Sequence, residues 1–84
     1  MNYTVIFKSS AEREFQNLSP QVQTRIADAL VLLEHNPRPP NCKKLRARPG
    51  YRVRIGDYRV VYTVDDHSHS VRILAVGHRR EIYQ

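Results

Sequence analysis

Two alternating segments joined by Gly56-Asp57 limit the folds open to this chain more than any other feature of its sequence. Residues 51–55 and 58–64 place apolar side chains at every second position, which is the period of a β-strand with one buried face. A Gly-Asp pair between such segments predicts a hairpin with a two-residue turn. The turn also sets the register, because it makes Ile55 and Tyr58 directly opposed. The other elements must therefore attach to a sheet that contains this hairpin.

The register of the hairpin separates its side chains into two faces. One face is apolar and is predicted to pack against helices: Tyr51, Val53, Ile55, Tyr58, Val60, Tyr62 and Val64. The other face, which we call the arginine face, carries Arg52, Arg54, Arg59, Val61 and Thr63. Arg54 lies opposite Arg59, and like charges in that position destabilise a hairpin. This arrangement favours a surface that binds an anion, and the alternative is an exposed face with solvated arginines.

The remaining elements follow from local patterns on either side of the hairpin. Residues 3–7 are rich in β-branched and aromatic side chains, which predicts a first strand. A short helix follows, and then Ser19-Pro20 begins an amphipathic helix that ends at Asn36-Pro37. Residues 37–50 are predicted to form a proline-rich loop, and residues 71–76 a last strand. The predicted fold is α+β: an N-terminal strand, an antiparallel helical hairpin and a three-strand antiparallel meander (β-α-α-β-β-β), with the helices on one sheet face and the strand order left open.

The last strand also alternates, but its two faces are less distinct. Arg72, Leu74, Val76 and His78 share one side, and the other side carries Val71, Ile73, Ala75, Gly77 and Arg79. We assign Leu74 and Val76 to the core, which predicts that Arg79 joins the arginine face. The floor beneath the arginines would then consist of Val61, Ile73 and Ala75. The opposite assignment, with Ile73 and Ala75 in the core, stays open because these two residues are apolar too.

Positive charge is concentrated in one stretch of the chain. The formal net charge is +6, and residues 38–59 hold eight of the fourteen basic residues but one of the eight acidic residues. Eleven of the basic residues are arginines, whose planar guanidinium binds phosphate through two parallel hydrogen bonds. This segregation indicates a polyanionic partner. A basic loop that only keeps the protein soluble is the alternative.

Length and composition exclude several kinds of protein. The 84 residues suffice for one domain, 1–84, with a modest core and no deep enclosed pocket. No apolar run reaches the length of a membrane span, and the N-terminus lacks the pattern of a secretory signal. The single cysteine, Cys42, excludes an internal disulfide and a cysteine-based zinc site. We therefore expect a cytoplasmic protein.

Three segments together resemble the RelE/ParE superfamily of toxins from bacterial toxin–antitoxin pairs. They are Lys44-Leu45, the stretch from Gly50 to Tyr62, and the stretch from Val76 to Tyr83. The similarity covers nearly the whole chain and implies the element order described above. RelE-type members are ribosome-dependent endoribonucleases that cut mRNA in the A site, whereas ParE-type members inhibit DNA gyrase. The resemblance implies the toxin of a type II pair, and we expect RelE-type activity with gyrase inhibition as the alternative.

The resemblance also implies which residues form the site. RelE-type toxins use two basic residues before the hairpin turn, an arginine after it, an arginine near the end of the last strand and a tyrosine close to the C-terminus. The matching positions are Arg52, Arg54, Arg59, Arg79 and Tyr83. RelE has lysines at the first two positions, and arginine effectively cannot lose its proton, so Arg52 and Arg54 are predicted to hold phosphates rather than act as general bases. Tyr83 rests on the resemblance alone, with a packing role as the alternative.

Cleavage of this kind proceeds by attack of the RNA 2′-hydroxyl and calls for no cofactor or metal. Arg59 and Arg79 are predicted to bind the scissile phosphate. A second set, predicted to bind RNA from the basic loop, consists of Lys43, Lys44, Arg46 and Arg48. His78 is the only histidine near the arginines, but its parity directs it to the other face.

The expected partners are mRNA, the ribosome and a cognate antitoxin. The neutralising segment of the antitoxin is expected to be acidic, which would complement the basic stretch, or partly disordered before it binds. A plain nucleic-acid-binding module fits less well. Such a module needs a recognition helix with exposed basic residues, and Arg25 is the one lysine or arginine of the second predicted helix.

Overall fold

The predicted hairpin lies inside a five-stranded sheet in the computed structural model, which describes residues 2–78. The strands are β1 (Thr4–Phe7), β2 (Cys42–Lys44), β3 (Tyr51–Ile55), β4 (Tyr58–Asp65) and β5 (Ser70–His78). The helices are α1 (Ser9–Gln16) and α2 (Pro20–His35). The strand order across the sheet is β1-β5-β4-β3-β2. Neither of these two helices combines the length and the apolar character needed to cross a membrane.

The register of the β3–β4 hairpin is the predicted one. Ile55 pairs with Tyr58, and Arg54 pairs with Arg59. Gly56 has a φ of +61°, the left-handed conformation that a tight two-residue turn needs at its first position. The apolar face and the arginine face of the hairpin are therefore divided as predicted.

Two strands extend the predicted meander of β3, β4 and β5. β1 pairs in parallel with β5, and the helices form part of the long connection that a parallel arrangement needs. β2 pairs antiparallel with β3 at the opposite edge. The sheet is therefore mixed, and the prediction that residues 37–50 form only a loop is wrong for Cys42–Lys44. These residues have no alternating apolar pattern and become a strand through their pairing with β3.

The core lies between the helices and the apolar face of the sheet. The helices contribute Ala11, Ile26, Leu30 and Leu33. The sheet contributes Val53, Val60, Tyr62, Val71, Ile73 and Val76 to this core. The other predicted core residues of the hairpin are half-buried against this cluster: Tyr51, Ile55, Tyr58 and Val64. Burial of each large apolar side chain stabilises the fold by about 1.5–3 kcal/mol. Because the helices pack on the apolar face, they leave the arginine face of the hairpin uncovered.

One glutamine ties the two helices together. α2 begins as predicted, with Ser19 as its N-cap and Pro20 in its first turn. The two N–H groups of the Gln23 side-chain amide are shared among three carbonyl oxygens at 3.0–3.1 Å, those of Phe15, Gln16 and Leu18. Carbonyl groups at the end of a helix have no partner within that helix. The glutamine therefore satisfies the end of α1 and holds the helical hairpin over the sheet.

A β-bulge in β5 decides which of its side chains face the helices. Val61 pairs with Ala75 and Tyr62 pairs with Ile73, so Leu74 is an extra residue without a partner in β4. Because the extra residue interrupts the alternation, Ile73 lies in the core, and its predicted place in the floor under the arginines is wrong. Leu74 was predicted in the core, but it is half-buried and lies outside the core cluster.

A polar cluster joins the loop after α2 to the β4–β5 turn. The Arg38 guanidinium donates to both carboxylate oxygens of Asp66, at 3.2 and 2.8 Å, and its Nε donates to the Tyr51 hydroxyl at 2.9 Å. The Tyr3 hydroxyl donates to the same carboxylate at 2.7 Å. Hydrogen bonds from Arg38 and then Tyr3 lower the pKa of Asp66 to about 2. Arg38, one of the arginines of the basic stretch, is thus paired with an acidic residue of the same chain at the surface.

Asp66→Asn should lower the melting temperature at neutral pH and reduce the acid sensitivity of the fold. The pKa of Asp66 is lower in the folded protein than in the unfolded chain, so its contribution to stability is complete above about pH 4 and is lost as the pH falls through about 2. Thermal melts between pH 2 and 7 check this, with the exposed Asp28→Asn as the matched control. A variant at Asp66 that loses stability between pH 4 and 2 as steeply as the wild type would contradict the prediction.

Candidate functional site

The arginine face of the hairpin holds a small pocket lined by four cationic side chains. Its volume is about 100 Å³, and its lining residues are Asn41, Lys43, Arg52, Arg54 and Arg59. Three strands supply the cations, because Lys43 of β2 pairs with Arg52 of β3, and Arg54 of β3 pairs with Arg59 of β4. We call these five residues the arginine site. The sheet thus brings together three of the four arginines predicted for this face: Arg52, Arg54 and Arg59.

The positive charge of the arginine site is not compensated by its own lining. None of the five lining residues is acidic, so the four cations face one another across neighbouring strands. Arg54 is exposed, and its Nε donates to the carbonyl oxygen of Gly56 at 3.2 Å, which orients its guanidinium at the turn. Like charges on adjacent strands repel each other, and an anion in the pocket would relieve that repulsion.

Arg59 gives the clearest indication that the site is suited to a ligand. Its Nε is buried and has no hydrogen-bond partner among residues 2–78. A buried donor without a partner costs about 1–3 kcal/mol, and such groups are rare in folded proteins. The backbone of Arg59 is fixed by its pairing with β3 on one side and β5 on the other. An anionic oxygen in the pocket would supply the missing acceptor.

An apolar floor lies beneath the arginines. Val61 is fully buried, although it lies on the arginine face opposite Arg52. Ala75 is the partner of Val61 in β5 and belongs to the floor as predicted, whereas Ile73 does not. Arginine side chains cover apolar surface with their aliphatic stems while the guanidinium groups stay at the surface. This accounts for a fully buried valine on the face away from the helices.

Comparison with known proteins shows the family to which the chain belongs. A family model described as the ParE toxin of the type II toxin–antitoxin system parDE matches residues 5–83. Toxin RelG of Mycobacterium tuberculosis is 34% identical over 86 residues, which covers 100% of this chain and 99% of RelG. The chain belongs to the RelE/ParE superfamily of type II toxins. A putative RelE-like toxin protein of Escherichia coli is 31% identical over 94% of this toxin and 85% of its own length.

Solved structures of toxin–antitoxin complexes match the fold of this toxin. The RelBE2 complex from Mycobacterium tuberculosis matches with a TM-score of 0.84 and 33% identity, over 94% of this toxin and 100% of that chain. The intact Escherichia coli RelBE complex matches with a TM-score of 0.81 and 31% identity, over 92% and 96% of the two chains. The α+β architecture expected from the family resemblance is therefore confirmed.

The predicted RNA-binding residues of the toxin lie in two places. Lys43 belongs to the arginine site, whereas Lys44, Arg46 and Arg48 line a separate depression of about 520 Å³ around the β2–β3 loop. All four side chains are exposed. Their proposed contacts with RNA stay predictions.

Two predicted site residues of the toxin, Arg79 and Tyr83, lie outside the described residues. His78 is half-buried and pairs with Tyr58, and the two rings meet edge to face with their centroids 5.5 Å apart. Because Tyr58 belongs to the apolar face of the hairpin, His78 lies on the helix side of the sheet, as its predicted parity required. The lining of the arginine site, as far as residues 2–78 form it, contains no histidine.

Asn41 is the lining residue that sequence reasoning missed. It precedes β2 in a proline-rich segment and belongs to no recognisable motif. Its amide both donates and accepts hydrogen bonds, so it can contact a phosphate or a base. Proximity to Lys43 is the only signal in the sequence, and that signal is informative only once β2 is known to pair with β3.

Proposed function

We propose that this toxin is an endoribonuclease that cleaves mRNA on the ribosome and thereby stops translation. The observation that carries the proposal is the pocket lined by four cations, one of which is Arg59, whose buried Nε has no acceptor among residues 2–78. A guanidinium in this state is complementary to a phosphate, whose oxygens accept two parallel hydrogen bonds from an arginine. RNA in the cytoplasm is the polyanion that a type II toxin of the RelE branch would meet.

The proposed reaction is an attack of the RNA 2′-hydroxyl on the adjacent phosphate. The new bond joins the 2′-oxygen to phosphorus, the bond from phosphorus to the 5′-oxygen breaks, and the products carry a 2′,3′-cyclic phosphate and a 5′-hydroxyl. The protein then has to hold the reacting atoms in line and stabilise the charge that develops on the phosphate. We assign charge stabilisation to Arg59, with Arg79 as its predicted partner, and phosphate positioning to Arg52 and Arg54.

Proton transfer in this reaction cannot be assigned to the arginines. Arginine keeps its proton at any physiological pH, so Arg52 and Arg54 cannot take the proton of the 2′-hydroxyl. Tyr83 stays the predicted candidate for stacking on a base or for assisting a proton transfer. We propose that the ribosome also accelerates cleavage by positioning the mRNA, because a correctly aligned 2′-hydroxyl reacts much faster than a mobile one.

The proposed antitoxin neutralises this toxin by covering the arginine face. The solved relatives named above are complexes of a toxin with its antitoxin. Since the arginine site has no acidic lining residue, an acidic segment of the antitoxin would complement it and keep RNA out. Binding should therefore weaken steeply with salt concentration.

Inhibition of DNA gyrase without nuclease activity is the second candidate function. The observation that favours it is the matched family model, which carries the description of a ParE toxin. A gyrase inhibitor of that kind needs a protein-binding surface, but it does not need a phosphate pocket with a buried unpartnered donor. The arginine site therefore favours the nuclease.

Brief expression of the toxin without an antitoxin should stop amino-acid incorporation before it affects thymidine incorporation. The reason is that mRNA cleavage halts protein synthesis at once, while replication forks already started continue. Primer extension on an abundant mRNA should show new 5′ ends inside translated regions, and these ends should be absent when initiation is blocked. A fall in DNA synthesis while translation continues would identify a gyrase inhibitor instead.

A further inference from the structure

The arginine face continues past the arginine site toward the β1 edge of the sheet. Thr63 of β4 pairs with Arg72 of β5, and Arg72 in turn lies beside Ile6 of β1. Side chains from these three strands line a shallow depression of about 240 Å³: Ile6, Thr63, Asp65, Ser70 and Arg72. We call it the β1-side depression. It shares one face of one sheet with the arginine site.

The bulge at Leu74 places Arg72 on this face. Regular alternation from Val76, a core residue, would put Arg72 among the core side chains, which is what the sequence pattern predicted. The extra residue shifts the alternation, so Val71 and Ile73 are fully buried and Arg72 is exposed. The structure thus adds a basic residue to the arginine face that the sequence pattern had assigned to the opposite side.

Arg72 has neither a hydrogen bond nor an ion pair with any other side chain of residues 2–78. The carboxylate in the same depression, Asp65, accepts hydrogen bonds from the backbone N–H groups of Ser68 and His67 at 3.2 and 3.0 Å. These bonds lower the pKa of Asp65 and hold its carboxylate in the β4–β5 turn. The Arg72 guanidinium is therefore available to an external anion.

An apolar side chain accompanies this cation. Ile6 is 50% exposed, and the other large aliphatic side chains that are exposed in the described part of the chain, Val31 and Leu32, lie on α2. Nucleotides combine an anionic phosphate with a base whose faces are apolar, and proteins bind single strands by pairing cations with apolar or aromatic surfaces. Arg72 beside Ile6 offers both kinds of contact, and the hydroxyl groups of Thr63 and Ser70 add further hydrogen-bonding groups.

The distance between the two sites suits one continuous strand of RNA. Thr63 lies four residues beyond Arg59 on β4, which is about 13 Å at about 3.3 Å per residue. Stacked nucleotides advance by about 3.4 Å each, so a strand held at Arg59 reaches the depression within about four nucleotides. Val61 and Ala75 form the floor between the two sites.

We propose that the β1-side depression is a second subsite for single-stranded RNA. Arg72 binds a phosphate in the strand that flanks the cleavage site, and Ile6 contacts a base of the same strand. This inference rests on the proposed nuclease function and extends the path of its substrate across β4, β5 and β1. Continuity with the arginine site, on the same face and with the same sign of charge, favours RNA as the occupant.

Binding of 2′-O-methyl RNA, which lacks the attacking hydroxyl, tests this subsite separately from cleavage. Fluorescence anisotropy would compare oligonucleotides of about three and about nine nucleotides at several salt concentrations. Arg72→Ala should weaken binding of the longer RNA about fivefold at ~0.1 M salt and reduce the salt slope by about 0.7, but leave the shorter RNA unchanged. Arg72→Lys should keep most of the slope, and Arg13→Ala, at an exposed arginine of α1, should change neither affinity.

The binding measurements would overturn the proposal if Arg72→Ala bound the longer RNA as tightly as the wild type, or if its affinity fell no more than that of Arg13→Ala. A wild-type protein that bound both RNA lengths equally would overturn it too. A variant at Arg72 that loses antitoxin binding but keeps RNA binding would assign the depression to the antitoxin and would also overturn it. Failure of the nuclease proposal is distinguishable, because it would be seen as a wild-type toxin that cleaves no mRNA on ribosomes and not in the comparison of RNA lengths.

Discussion

Arg59→Ala should lower the single-turnover rate of mRNA cleavage on ribosomes by about 10²–10³-fold, the range observed when one preorganised stabilising donor is removed. Two features of Arg59 support so large an effect. The sheet holds its backbone between two neighbouring strands, so the point from which the side chain extends is fixed before the substrate binds. Its buried Nε lacks an acceptor among residues 2–78, so a phosphate oxygen that reached it would gain a hydrogen bond.

Matched variants separate catalysis from general loss of charge. Arg13→Ala removes an equal charge from an exposed position on α1 and should leave the cleavage rate unchanged. Arg59→Lys keeps the charge but loses the planar fork, so its rate should lie between those of Arg59→Ala and the wild type. Affinity for the ribosome, measured by co-sedimentation, should change far less than the rate. Full cleavage by Arg59→Ala with an intact fold would show that the arginine site is not the active site.

The hairpin shows how far sequence alone can determine a site. A period of two residues and a Gly-Asp turn allow one register, and that register alone places Arg54 opposite Arg59 and both on the face away from the apolar side chains. No knowledge of a family is needed for this step. Register in a half-buried hairpin is strongly specified, because a slip by one residue would turn every apolar side chain toward solvent.

The parts of the site that were missed depend on contacts between distant segments. Leu74 forms a bulge in β5, and no local signal in an apolar strand marks a bulge. The face of the sheet predicted for Arg72 was therefore wrong. β2 exists only through its pairing with β3, so Asn41 went unnoticed. The missing acceptor at Arg59 Nε is a property of packing around one atom, and no pattern of residue types reveals it.

Alanine substitutions at Gly50 and Gly56 form a matched pair that tests what stabilises the sheet. Gly50 has a φ of +124°, well beyond the left-handed region near +57° that other residues can enter, and a Cβ there would lie 2.7 Å from the backbone oxygen of Tyr62. Tyr62 is fully buried in the middle of β4, so its backbone cannot move away without disturbing the core. Gly56, with a φ of +61°, has the end of the flexible Arg25 side chain as its near neighbour.

Gly50→Ala should therefore destabilise the fold by about 2–3 kcal/mol, which corresponds to a fall of about 10–20 °C in the melting temperature of a domain of this size. Gly56→Ala should cost less, about 1 kcal/mol, because alanine is strained at a φ of +61° but the Arg25 guanidinium can swing aside. Thermal and urea melts of the two variants, followed by circular dichroism, measure the difference directly. The strained conformation and the backbone contact act together at Gly50, whereas only a mild conformational cost acts at Gly56. Equal losses of stability in the two variants would show that the contact with the Tyr62 carbonyl does not constrain the β2–β3 connection.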